Sequence, residues 1–129
     1  MNGDRTIRDA IEAVQRTSRP ALAAFLTAGF PQRAGFAALL SSVASVADVV
    51  EIGVPFSDPM ADGVTVQRAS HAALQQGVTL DWILQTLRSL PVAPRAPLLL
   101  MSYLNPLLAY GWERLAADAA AAGVSGLIV

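Results

Sequence analysis

Four short apolar runs recur along the chain, ALAAFLTAG at 21–29, ADVVEIGV at 47–54, PLLLMSY at 97–103 and SGLIV at 125–129, with helix-patterned segments between them. Strands that are apolar nearly throughout are buried on both faces, and strands separated by helices pair in parallel through crossover connections. The pattern therefore predicts an α/β fold with helices covering a parallel sheet. Thr6 and Asp9 have the spacing of a capping box, and Ile7, Ile11 and Val14 recur at helical spacing, so an amphipathic helix opens the chain before Pro20 breaks it. Further helices are expected over about 32–46, with Phe36, Leu39, Leu40 and Val43 on one face, and over about 64–76. Another spans 79–90, with Thr79 as N-cap and Leu80, Ile83, Leu84 and Leu87 as its stripe, and the last spans 112–122, ended by Gly123. The final run is wholly apolar and would leave an exposed sheet edge, an association hazard, so residues 1–129 read as one partial domain of something larger.

Composition excludes whole classes of chemistry. Hydrophobic residues make up 53% of the 129, enough for a real core. The longest uncharged stretch, 97–112, falls short of the ~20 residues of a membrane helix and is broken by Asn105 and Pro106. The amino terminus MNGDRTIRDA lacks the apolar core of a secretory signal and there is no cysteine, so the cytoplasm is the expected compartment. Nine basic residues against ten acidic ones, scattered along the chain, offer no track for nucleic-acid phosphates. All nine are arginine, so no lysine is available for a Schiff base or a P-loop, and one histidine without cysteine leaves little for zinc. No G-x-S-x-G elbow is present. Acid/base work by carboxylates and tyrosines remains.

The stretch VVEIGVPFSDPMADGVTVQ, 49–67, concentrates those groups. Side chains alternate across a strand, so Val50, Ile52 and Val54 suit the helix-covered face while Val49, Glu51 and Gly53 share the other. Glu51 then lies near the carboxyl end of its strand, where ligands bind in open α/β sheets and in barrels. The same parity groups Phe25 with Ala23 and Thr27, and Met101 with Tyr103, so Phe25, Glu51, Met101 and Tyr103 converge on one pocket. A glutamate in such a strand can instead pair with an arginine from a covering helix. The loop that follows, with two prolines, a glycine and the acids Asp58 and Asp62, has the composition of a segment held in shape beside a site. Asp-Gly is also ordinary turn chemistry, as are Ser57 and Asp58 before Pro59. His71 sits in a helix where nothing asks for it and reads as surface or satisfied core.

VEIGVPFSDPMADG resembles the signature of the tryptophan synthase alpha chain family, and FLTAGFP, VQRAS, SYLNPLLAYG and ERLAADAAAAGVSGLIV resemble segments of that family in the same order. The resemblance covers essentially the whole chain. It implies the first half of a (β/α)₈ TIM barrel, a fold that runs to ~250 residues, with the chain ending in strand four. It further implies aldol cleavage of indole-3-glycerol phosphate to indole and glyceraldehyde 3-phosphate, without metal or organic cofactor. Glu51 would be the general acid/base, and Asp62 would accept the indole N–H. Phe25, Met101 and Tyr103 would enclose the ring, although each singly also suits core packing. A beta chain is the implied partner, in an alpha2beta2 complex for the full-length family, with Pro55, Asp58 and Asn105 as candidate contacts.

Two departures stand out. Residue 125 is serine where the family often has an acid, and no glycine-rich anion cradle is present, since phosphate loops in such barrels follow the later strands. Remote phosphate binding lowers the barrier at the reacting carbon, so poor activity is expected of this chain alone. Other readings are a non-catalytic half-barrel that binds a beta-type partner, a remnant without activity, and another sugar-phosphate barrel enzyme such as an isomerase with Glu51 as base.

Overall fold

The computed structural model describes residues 6–129; residues 1–5, the start of the stretch read above as no secretory signal, lie outside the described residues. Helix α1 (Ile7–Gln15) begins where the capping box places it: the Thr6 hydroxyl accepts the Asp9 N–H and the Asp9 carboxylate accepts the Thr6 N–H, both at 3.1 Å. Strand β1 (Ala23–Thr27) leads through a 3₁₀ turn at Arg33–Gly35 into α2 (Phe36–Ala44). Then come β2 (Val49–Gly53), α3 (Val64–Gln75) and α4 (Leu80–Arg88), the last capped by Thr79, whose hydroxyl accepts the Trp82 N–H at 3.1 Å. The chain continues through β3 (Leu98–Met101), α5 (Leu104–Tyr110), α6 (Trp112–Ala121) and β4 (Val124–Ile128). Among the described residues no helix is long and apolar enough to cross a membrane.

The four strands form one parallel sheet in the order β1-β2-β3-β4. On the helix-covered face Val50, Ile52 and Leu100 are fully buried against Phe36 and Leu40 of α2, Ile83 and Leu84 of α4, Leu107 of α5 and Leu115 of α6. Burying each such side chain contributes roughly 1.5–3 kcal/mol, which makes this layer the main source of stability. The other face is built differently. Val49 and Leu99 are buried yet belong to no part of the helix-side core, as are Ala10 and Val14 of α1, and a Cβ at Gly126 would meet Leu99 Cδ2 at 2.9 Å and Ile7 Cδ1 at 3.5 Å. Helix α1 therefore packs on this second face, with Ile7 beside Gly126 of β4, a position its amphipathic pattern alone did not specify.

Two expectations are adjusted. The strand expected over 97–103 ends at Met101, and the following residues form α5, a helix not foreseen from the sequence. The helix expected from 32 opens instead with the 3₁₀ turn. On the outer surface α4, α5 and α6 are joined by polar contacts: Arg88 and the Tyr110 hydroxyl both bond Asp118, and Arg114 bonds Asp81 at 2.8 Å while stacking 4.2 Å above the Tyr110 ring.

Candidate functional site at the carboxyl ends of the strands

Strand register aligns Phe25, Glu51 and Leu99 across the sheet, and one layer higher Gly53 with Met101 and Ile128. Because Val50 and Ile52 point into the helix-side core, Glu51 lies on the opposite face, the one its parity predicts. No arginine pairs with it among the described residues; the ion pairs are Arg19–Asp48, Arg88–Asp118 and those of Arg114 with Asp81 and Asp118. Among the described residues the half-buried Glu51 side chain thus has no helix arginine of the kind the structural alternative invoked.

Above this layer the 54–63 loop folds back over the strand ends. Pro59 and Asp62 close a turn through the Asp62 N–H and the Pro59 carbonyl at 3.0 Å. The side-chain amide of Gln67 donates to the carbonyls of Pro59 and Asp62 at 3.2 and 3.0 Å, and the Tyr103 hydroxyl accepts the Ala61 N–H at 2.9 Å. Nearer the strand, the Ser70 hydroxyl accepts the Phe56 N–H at 2.9 Å and donates to the Phe56 carbonyl at 3.1 Å. The rings of Phe56 and Tyr103 stack with centroids 5.2 Å apart.

These elements enclose a cavity of about 350 Å³, within the ~300–1,000 Å³ of small-molecule sites. Its walls include Phe25, Phe56, Asp62, Val66, Met101 and Tyr103, an apolar enclosure with one carboxylate on its wall. Four of the five residues assigned from the sequence to catalysis or ring binding therefore meet here. Glu51 is not among the lining residues; it stands directly beneath Gly53, which is, and the Phe25 ring fills the space a side chain at 53 would take. Of the expected partner contacts, Asp58 and Asn105 are exposed, whereas Pro55 is buried within the chain and is not itself available to a partner. His71 is exposed. Among the described residues no group of three or more His, Asp or Glu side chains is placed to hold a metal ion. Sequence reasoning missed Gln67 and Ser70 as parts of the site; a polar pair three apart in the first turns of a helix that follows a proline-rich loop was the available signal.

The family model described as tryptophan synthase alpha chain matches residues 11–129. The chain belongs to that family. The tryptophan synthase alpha chain of Nitratidesulfovibrio vulgaris strain Hildenborough is 51% identical over 127 residues, covering 98% of this chain and 48% of that protein. That of Desulfovibrio desulfuricans is 52% identical over 124 residues, covering 95% and 49%. Among solved structures, the tryptophan synthase alpha subunit of Legionella pneumophila strain Paris superposes with a TM-score of 0.89 at 37% identity, over 95% of this chain and 48% of that one. A tryptophan synthase of M. tuberculosis, in an open form with BRD0059 bound, gives 0.85 at 35% identity over 94% and 49%. The chain spans about half the length of the curated relatives it matches, and its parallel sheet with covering helices corresponds to about half of these (β/α)₈ barrels.

Proposed function

We propose that the chain carries the indole-handling half of a tryptophan synthase alpha chain active site, which cleaves indole-3-glycerol phosphate to indole and glyceraldehyde 3-phosphate. Glu51 delivers a proton to the ring carbon that bears the side chain, forming an indolenine. The Glu51 carboxylate left by that step takes up the proton of the adjacent side-chain hydroxyl, and the carbon–carbon bond breaks as the hydroxyl carbon becomes an aldehyde. The aldehyde leaves as glyceraldehyde 3-phosphate, and the bonding electrons return to the ring as indole. Asp62 accepts the indole N–H and stabilises the positive charge that develops on that nitrogen, a task typically worth about 3 kcal/mol. Phe25, Met101 and Tyr103 enclose the ring, and no metal or organic cofactor takes part. Residues 1–129 act as one partial barrel domain in the cytoplasm, with a beta chain as partner docking over Asp58 and Asn105 and the loop that Pro55 shapes.

The observation that carries this reading is the apolar cavity with Asp62 on its wall above the face that bears Glu51. Indole release tests it, measured for the chain alone, with a beta chain, and with the barrel completed by the carboxyl-terminal half of the Nitratidesulfovibrio vulgaris relative. Little turnover is expected from the chain alone. The completed barrel should release indole, and Glu51→Gln should lower that rate by about 10²–10⁴-fold. Undiminished turnover in the Glu51→Gln protein would remove the assignment.

A further inference from the structure

The turn that presents Asp62 has few bonds of its own. Of its polar backbone groups, the Pro59 and Asp62 carbonyls are taken by one Gln67 amide and the Ala61 N–H by the Tyr103 hydroxyl, while Ser70 holds both polar atoms of Phe56 at the loop's other end. Gln67 and Ser70 lie three residues apart on α3 and so share the face of that helix turned toward the loop. The Asp62 carboxylate, by contrast, makes no hydrogen bond within the described chain while its residue lines the cavity. A backbone held from outside with its side chain unengaged is the arrangement expected of a group kept in place for a ligand rather than for the fold.

We infer that Gln67 and Ser70 are positioning residues: they fasten the 56–62 loop to α3 at two points, with Tyr103 as a third, so that Asp62 stands over the cavity before any ligand arrives. Gln67 is the principal member because one amide bridges both ends of the turn. This rests on the reading of Asp62 as the acceptor of an indole N–H, and the test separates the two.

Gln67→Met keeps the length and stem of the side chain and removes both donors. Amide hydrogen exchange should speed up about tenfold or more at Ala61 and Asp62 while the β2 and β3 amides are unchanged. Titration with indole, followed by NMR, should show about fivefold weaker binding, the effect of losing a single positioning bond. Asp62→Asn should weaken indole binding in the parent chain and add little in the Gln67→Met background. Unchanged exchange at Ala61 and Asp62, or an Asp62→Asn effect of equal size in both backgrounds, overturns the inference. If Asp62→Asn leaves indole affinity unaltered in the parent while Gln67→Met still frees the loop, the fastening stands and the indole role of Asp62 falls. Should Gln67→Met loosen the sheet as well, Ser70 decides: faster exchange at Phe56 in Ser70→Ala, restored in Ser70→Thr, supports the inference, and no difference between the two refutes it.

Discussion

At the scale of single residues, the cavity depends on a glycine. A Cβ at Gly53 would lie 2.6 Å from Phe25 Cζ, so Gly53→Ala must displace the outer end of that ring, which lines the cavity. Because the Phe25 ring is 37% exposed and can swing aside, a destabilisation below about 1 kcal/mol is expected by thermal or urea unfolding, with weakened indole binding as the main effect. A second residue-scale prediction concerns Asp118. The Tyr110 hydroxyl, then Arg88, holds its carboxyl below the ordinary value of 3.8. A depressed carboxylate contributes stability that is present above the ordinary value and lost as pH falls through the depressed one. Tyr110 is pushed up from 10.0 to about 12, by burial first and by its bond to Asp118 second, so its share is present below pH 10 and lost as pH rises through about 12. Urea midpoints should therefore fall more steeply below about pH 4 in the parent than in Asp118→Asn; parallel curves would contradict the linkage. Glu51 was legible in the sequence because strand parity is a period of two and its flanking valine and isoleucine fix the buried face. Gln67 was not, because its role depends on how the loop folds back, which no periodicity encodes.

Among the elements, helices with a strong apolar stripe were legible and the short one was not. Leu80, Ile83, Leu84 and Leu87 marked α4, and Thr79 marked its start. Thr79→Ala should cost about 1 kcal/mol in urea unfolding and Thr79→Ser much less, since serine restores the oxygen that accepts the Trp82 N–H. Equal losses would show that the cap is not what matters there. Helix α5 escaped notice because Pro106 reads as a breaker. Pro106 occupies the third helical position, in the first turn, where a backbone N–H has no partner within the helix and its absence is tolerated. This short helix also delivers Tyr103, its N-cap residue, to the cavity wall.

Across the whole molecule, the layered α/β architecture followed from the apolar strands alone, while the two open edges of the sheet follow from the strand order. On the β4 edge Leu127, Ile128 and Val129 are exposed, and Leu127 flanks a hollow of about 230 Å³ that Trp112 and Leu115 also line. Sedimentation velocity should detect concentration-dependent association of the chain, and Leu127→Lys should weaken it roughly tenfold, about 1.4 kcal/mol. A monomer at all concentrations would show that the edge is protected in a way the exposed residues do not reveal. The placement of α1 was beyond sequence reasoning, since an amphipathic stripe names a buried face but not its neighbour. With Ile7 seated beside Gly126, that helix covers part of the sheet face turned away from the helical layer. The Asp62 turn stands at the opposite, carboxyl-terminal rim, so a protein seated over it would rest against a wall of the cavity and could govern passage without touching the chemistry.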